Sequence, residues 1–339
     1  MTATALPPRP LISVIVPVYD EEDNVVACYE AVTAVLATVA DRYDWEFVFT
    51  DNHRSDRTFE LLAELAVRDR RVRVFRFSRN FGFQRSIMTG YLMARGDAAV
   101  QLDCDLQDPP AMILDFLARW EEGFKVVYGI RRSRPEAAWL RGARRMFYRL
   151  VDTLSEQPLP HDAGDFRLVD RRVIDELRHH HDMHPYLRGM IAGMGFAQTG
   201  IPYDREARRG GRSKFNLFSL SLLALDGIVG QSHQPLRVAS YIGVGAGALA
   251  VVTALVLVFE KLFLGASWPS GWAFLVVLVL ASLAINAFLL GIIGEYIGRT
   301  YSQVRPQPLT IIENAIDAAT VADGGTPPKR VTFGSGGEA

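Results

Sequence analysis

Residues 101–110 read QLDCDLQDPP and gather three carboxylates at the end of an apolar run, 98–100, that predicts a buried strand. In an extended chain the side chains alternate between two faces, so Asp103, Asp105 and Gln107 would project to the same side. Closely spaced carboxylate and amide oxygens are the ligands that hard divalent cations prefer. The segment therefore predicts a metal site, with a solvated turn as the plain alternative.

Two further residues of this segment fall on the opposite face. Cys104 alternates with the aspartates, which predicts that its thiol packs in the core. Asp108 precedes two prolines and would face away from the other acidic groups, so we expect it to contribute much less than Asp105.

The composition limits the class of protein. The 339 residues include 37 basic and 38 acidic side chains, whereas a nucleic-acid-binding protein is usually more basic. The two cysteines have no zinc spacing and predict reduced thiols facing the cytoplasm. The histidine-rich run HHHDMH, 179–184, lacks regular ligand spacing and is interpreted as a solvated or interfacial loop. Residues 1–10 are proline-rich, lack the apolar core of a signal peptide and are predicted to be disordered.

Two stretches near the carboxyl terminus, 238–259 and 262–294, contain no charged residue. Each exceeds the ~20 residues that cross a hydrocarbon core. They predict two transmembrane helices, at about 238–260 and 271–295, joined as a hairpin within the membrane segment 237–299. Arg237 precedes the first span, and Arg299 and Arg305 follow the second, whereas Lys261 is the one basic residue between the spans. The positive-inside rule therefore predicts that both chain ends lie in the cytoplasm.

The regions around the membrane segment have distinct patterns. Residues 213–236 predict a juxtamembrane amphipathic helix, which would lie on the membrane or pack against the soluble domain. Beyond Asn314 the tail, 300–339, includes DGGTPPKR and GSGGEA and has too few large apolar residues to form a core. We therefore expect a cytoplasmic and largely disordered tail.

The amino-terminal half alternates strand and helix patterns. Apolar runs at 11–18, 47–50, 72–77 and 98–102 predict strands, and helical patterns separate them. This alternation predicts an α/β domain with a mostly parallel sheet, whose ligands bind beyond the carboxyl ends of the strands. Six polar residues fall there: Asp20, Glu21, Asp51, Asn80, Asp103 and Asp105.

An ordered set of motifs then carries a resemblance that spans about residues 11–305. The motifs are PVYDEEDNV, TDNHRSDRT, SRNFGFQRSIMTG, DCDLQDPP, GDFRLVDRR and GGRSKF. Together with the two membrane segments they resemble the family 2 glycosyltransferases of the polyprenyl-phosphate type, the group of dolichol-phosphate mannose synthase and bacterial undecaprenyl-phosphate glucosyltransferases. The resemblance implies a Rossmann-like GT-A catalytic domain, 11–212, that needs Mg²⁺ or Mn²⁺.

The resemblance also assigns residues to the donor. It implies a nucleotide-sugar site formed by Pro17, Tyr19, Glu21, Asp51, Asn80 and Asp103. It implies a cation held by Asp103, Asp105 and Gln107, with Asp105 counted among the catalytic residues. The family more often has Asp-Asp-Gly or Asn-Asp-Gly where this chain has Asp51, Asn52 and His53, so the base is left open.

The acceptor side follows in the same way. Asp165 occupies the usual position of a general base, but a phosphate nucleophile is already ionised, so we assign Asp165 to orienting the acceptor, with base catalysis as the lesser option. Four basic residues and one serine are predicted to bind the lipid phosphate and the pyrophosphate. They are Arg131, Arg208, Arg209, Lys214 and Ser213. A basic patch on the membrane surface is the alternative for this group.

The resemblance predicts inverting transfer of one hexose from UDP-glucose, UDP-galactose or GDP-mannose to an undecaprenyl- or decaprenyl-type phosphate. It implies a multi-pass enzyme of the inner membrane that modifies a cell-envelope glycan or glycolipid. The expected partners are the lipid bilayer and further copies of the same chain, as in a tetramer, and no nucleic acid is expected to bind. A processive polysaccharide synthase is one alternative, although the chain lacks the Gln-x-x-Arg-Trp motif. A non-catalytic membrane scaffold is another, but such a protein would have no reason to keep mutually repelling acidic groups.

Overall fold

A computed structural model describes residues 9–53, 55–132, 163–180, 182, 185–205, 271–305, 307–317 and 329–331, with single helical positions between 241 and 263. The chain forms two compact units. The first contains residues 1–148, 157–215 and 306–339, and the second contains residues 149–156 and 216–305.

The first unit is built on a nine-stranded sheet with the order β7-β5-β6-β4-β1-β2-β3-β8-β9. Of the nine described strands, β6 and β8 run against the other seven, so the predicted α/β class with a mostly parallel sheet is confirmed. The strands are β1 Leu11–Val18, β2 Asp44–Asp51, β3 Val72–Phe77, β4 Ala98–Gln101, β5 Val126–Arg131, β6 Ala163–Asp170, β7 Gln198–Tyr203, β8 Thr310–Ile316 and β9 Arg330–Val331.

Helices cover both faces of the sheet and create two apolar cores. One core includes residues of α1, α2 and α4, and the other includes residues of α3, α5 and α6. Helix α3 approaches β1 closely because residue 90 is glycine, where a Cβ atom would lie 2.2 Å from Ile15 Cγ2. The helices are α1 Val25–Ala37, α2 Thr58–Arg68, α3 Phe83–Met93, α4 Met112–Glu121, α5 Arg171–Arg178 and α6 Leu187–Gly193.

Two segments of the tail, Thr310–Ile316 and Arg330–Val331, form strands, so the expected disorder does not hold for them, and the first unit includes residues beyond the predicted end of the catalytic domain at 212. Strand β8 pairs antiparallel with β3, and β9 pairs with β8. Leu309, Ile312 and Val331 are buried in the same core as α3. Four of the seven residues of β8 are apolar, and antiparallel pairing with β3 orders the strand.

Charged residues also connect the tail to the sheet. Arg73 lies 3.1 Å from Glu46 and 3.0 Å from Asp317, and Arg95 lies 2.9 Å from Asp317. The side chains of Arg73, Glu46 and Asp317 are all buried. Because an unpaired buried charge is costly, this network ties the end of β8 to the amino ends of β2 and β3.

The second unit contains the helix α7, Trp272–Val304. Its segment Ala281–Gly298 is long and apolar enough to cross a membrane, judged by length and composition. The second predicted span, 271–295, falls almost entirely within α7, whereas the first, 238–260, and the amphipathic segment, 213–236, lie mostly or wholly outside the described residues.

Candidate active site

The carboxyl ends of β1, β2, β3 and β4 meet at one edge of the sheet, and the start of β6 lies at the same edge. The antiparallel register pairs Gln101 of β4 with Arg167 of β6, so Asp103 and Asp165 extend from neighbouring strands at the same level. The structure thus brings together two carboxylates that are 62 residues apart in the sequence.

Three non-glycine residues in the loops at this edge have positive φ angles. They are Asp20 after β1 (66°), His53 after β2 (52°) and Leu106 after β4 (55°). This conformation costs roughly 1–3 kcal/mol for a residue with a Cβ atom and persists only where the surroundings enforce it. Their clustering in three neighbouring loops marks the edge as a candidate functional site.

The predicted metal-binding segment, residues 101–110, keeps the expected alternation but is not extended. Asp103, Asp105 and Gln107 are half-buried, whereas Cys104 is buried, as predicted. The chain turns at Leu106, and the Gln107 amide donates to Asp105 Oδ1 at 3.1 Å. A turn stabilised by the aspartate side chain therefore presents the three predicted ligands.

Asp103 lies among other negative charges. Burial and the nearby carboxylates of Asp108, Asp165 and Asp105 raise the pKa of Asp103 to about 7. Gln101 Nε2 donates to Asp103 Oδ1 at 2.9 Å, which fixes the orientation of the carboxylate. Within the described parts of the chain, no group of three or more His, Cys, Asp or Glu residues is arranged to hold a metal ion. A cation here would be held by two carboxylates and the Gln107 amide.

Asp165 has a cationic partner that the sequence reasoning missed. Arg188 of α6 approaches both of its oxygens, with Nε at 3.1 Å from Oδ1 and Nη2 at 3.2 Å from Oδ2. Gln84 Nε2 lies 3.5 Å from Oδ2. Such a paired carboxylate is better suited to orienting neighbours than to accepting a proton. No local pattern in the sequence pointed to Arg188.

Asp108 is buried beside the predicted ligands and has a larger role than we expected, because its carboxylate is one of those that raise the pKa of Asp103. It is fully buried and accepts a hydrogen bond from the Tyr203 hydroxyl. Arg131 Nη2 and Arg205 Nε each lie 3.3 Å from its oxygens. Asp108 therefore joins the metal-binding segment to the ends of β5 and β7, and the expectation of a minor role for this residue has to be revised.

Arg131, a predicted phosphate-binding residue, is held in place by this group. Its Nε donates to the Tyr203 hydroxyl at 3.1 Å. A Cβ atom at Gly164 would lie 3.1 Å from Arg131 Nη2, so the glycine before Asp165 leaves room for the guanidinium. Of the other predicted phosphate-binding residues, Arg208, Arg209, Ser213 and Lys214 lie outside the described residues.

The remaining predicted residues lie near the ends of β1, β2 and β3. Asp51 is buried at the end of β2, and burial raises its pKa to about 6 against the opposing effect of Arg76, whose Nε lies 3.6 Å away. Glu21 accepts from Asn24 Nδ2 at 2.7 Å. The others are buried Pro17 in β1, half-buried Tyr19 after β1 and exposed Asn80, which accepts from the Gly82 amide at 2.7 Å.

Comparisons with known proteins identify the family of the chain. Residues 13–178 match the family model described as glycosyl transferase family 2. The chain is 38% identical over 304 residues to the glycosyltransferase YkcC of Bacillus subtilis (strain 168), covering 89% of this chain and 93% of the relative. It is 32% identical to the prophage bactoprenol glucosyl transferase homolog of Escherichia coli (strain K12), covering 89% and 98%. A mannosyltransferase structure from Pyrobaculum calidifontis, in complex with GDP-Man and Mn²⁺, matches with a TM-score of 0.47 and 16% identity, covering 85% of this chain and 87% of that one.

The chain belongs to glycosyltransferase family 2. The resemblance recognised in the motifs is thereby confirmed, and the mostly parallel sheet of the first unit is its GT-A fold.

Proposed function

We propose that the protein transfers a single hexose from a nucleoside-diphosphate sugar to a polyprenyl phosphate, with inversion of the anomeric centre. The acidic edge formed by β4 and β6, with Arg131 beside it, carries the proposal because it offers groups for a cation, a pyrophosphate and an acceptor. Relatives that are 32% identical over about nine-tenths of this chain and are named bactoprenol glucosyl transferase support the choice of acceptor.

The donor would lie along the carboxyl edge of the sheet. Pro17, Tyr19, Glu21, Asp51 and Asn80 would contact the nucleoside, while Asp103, Asp105 and Gln107 would hold Mg²⁺ or Mn²⁺. The fit of this metal site rests on Asp103, because the carboxylates that raise its pKa oppose its ionisation and a cation would relieve that repulsion. When bound, the cation would neutralise charge on the departing nucleoside diphosphate.

Asp165 would act on the acceptor rather than as a strong base. A phosphate oxygen is already ionised at neutral pH, so no proton has to be removed from the nucleophile. The Arg188 contacts fix both Asp165 oxygens, which supports a role in orienting the acceptor and shaping charge near the reacting carbon. Arg131, held by Asp108 and Tyr203, would bind a phosphate, with Arg208, Arg209, Ser213 and Lys214 as predicted additional partners.

The helix α7 would anchor the enzyme in the inner membrane as the second half of a two-span hairpin. Large apolar side chains are exposed along its length, including Phe274, Leu283, Phe288 and Ile297. Such a surface is stable in lipid and unfavourable in water. A membrane-bound homo-oligomer of the tetrameric type, with both termini in the cytoplasm, remains our prediction.

The test is a donor screen with the full chain in detergent. UDP-glucose, UDP-galactose and GDP-mannose are each supplied with Mn²⁺, and release of the nucleoside diphosphate is measured with and without undecaprenyl phosphate. We expect one donor to be consumed and the release to depend on the lipid phosphate. Equal release without the lipid would contradict the proposed acceptor.

A further inference from the structure

His53, in the loop after β2, has a backbone conformation that the proposed reaction does not require. Its φ angle of 52° is one that glycine adopts without strain and histidine does not. Several contacts hold it there: its amide donates to Asp51 Oδ1 at 3.0 Å, and its Nδ1 lies 2.9 Å from the Phe77 carbonyl oxygen and 2.9 Å from Glu313 Oε2. A strained conformation with this many partners indicates a function for the side chain.

The partner Glu313 comes from an irregular point in the tail strand. Arg76 pairs with Asn314 and Phe77 pairs with Ile312, so Glu313 is the extra residue of a β-bulge in β8. Bulges near active sites redirect a side chain. The bulge directs Glu313 toward a histidine that lies 260 positions earlier in the chain.

The order of the strands places His53 toward the nucleoside end of the proposed donor. The strands run β4, β1, β2, β3 along the edge, with the predicted cation ligands after β4 and His53 after β2. Two strand spacings separate β4 from β2, on the order of 10 Å. If the diphosphate lies at β4, the base lies near β2 and β3.

The contacts of the ring also define its hydrogen-bonding character. The Phe77 carbonyl and the Glu313 carboxylate are both acceptors, so Nδ1 carries the proton in the neutral ring. The other nitrogen, Nε2, is then an acceptor. An acceptor complements a ring N–H, which uracil carries at N3 and guanine at N1. Cytosine N3 and adenine N1 are themselves acceptors, and the amino donors of these two bases lie one position away from that ring nitrogen.

We infer that His53, held by Glu313 of the tail strand, reads the nucleobase of the donor and selects bases with a ring N–H. This inference rests on the proposed function. His53 is a specificity-determining residue, and Glu313 is a positioning residue that acts through it. The His53–Glu313 pair is 38% and 46% exposed, so its contribution to overall stability is small and its effect falls on the orientation of the ring.

The experiment measures binding of UDP, GDP, CDP and ADP to the full chain in detergent with Mn²⁺, by calorimetry. The wild type should bind UDP or GDP more tightly than CDP and ADP. In His53→Gly, which relieves the φ strain and should fold, this preference should fall about three- to tenfold, the effect of one neutral hydrogen bond. Glu313→Ala should also reduce the preference for UDP or GDP. Glu60→Ala, at an exposed glutamate of α2, is the control and should leave the preference unchanged.

Two outcomes would overturn the inference, and they show whether the proposed function fails with it. If the wild type binds UDP or GDP selectively and His53→Gly keeps the same preference, the base-reading role is wrong and the donor site stands. If the wild type binds none of the four nucleotides, the proposed function fails, and this inference fails with it.

Discussion

Asp108→Asn removes the one buried negative charge that Arg131 and Arg205 share near the metal-binding segment. Asparagine can still accept from the Tyr203 hydroxyl, so the change chiefly removes charge. Breaking a fully buried ion pair costs about 3–5 kcal/mol. The two arginine side chains are 34% and 33% exposed, which lowers the expected loss of unfolding free energy to about 2–3 kcal/mol.

The loss should appear in both stability and transfer. For a domain of this size it corresponds to a fall of roughly 4–12 °C in melting temperature. Transfer should fall as well, because Arg131 loses the contact that orients it toward a phosphate. The control is Asp115→Asn, an exposed aspartate of α4, and both variants are compared by calorimetry and by hexose transfer. If Asp108→Asn melts and transfers like Asp115→Asn, the reasoning about this buried group is refuted.

Further predictions concern pH, metal and the tail. Because the folded-state pKa of Asp51 is raised to about 6, its contribution to stability is fully present below about pH 3.8 and is lost as the pH rises through 6. The wild type should therefore lose stability between pH 4 and 6, and Asp51→Asn should flatten this fall. Identical pH–stability curves for the two proteins would contradict the assignment. Asp105→Asn should abolish most transfer and should reduce the stabilisation that Mn²⁺ and nucleoside diphosphate give together. Without metal, the variant should melt at the same temperature as the wild type or slightly higher, because the repulsion between carboxylates is relieved. Full activity of the wild type in excess chelator would refute the metal site. Asp317→Ala should lower the free energy of unfolding by about 3–5 kcal/mol, because it removes one of the two buried carboxylates that pair with Arg73. A variant that melts like the wild type would show that this charged network does not stabilise the fold.

The sequence predicted those parts of the fold that depend on local patterns. The apolar runs of β1 to β4 predicted their strands, and the alternation after β4 predicted which of Asp103, Cys104, Asp105 and Gln107 are buried. It did not predict the turn at Leu106, since that conformation depends on surroundings that a two-residue period does not describe.

Contacts between distant segments were beyond those patterns. Arg188 reaches Asp165, and Asp317 reaches Arg73, through packing of elements that are far apart in the chain. Strand β8 is ordered by antiparallel pairing with β3, which lies far away in the chain. Asp108 was underestimated for the same reason, since its partners come from β5, the end of β7 and the residues that follow it.

Mass spectrometry of the lipid product tests the central claim most directly. The full chain in detergent is incubated with undecaprenyl phosphate, Mn²⁺ and the donor identified by the screen, and the lipid is then extracted. The account predicts a lipid whose mass has increased by one hexose, and much less of this product from Asp105→Asn or in excess chelator. An unchanged lipid, or a ladder of several hexoses on each lipid, would contradict it.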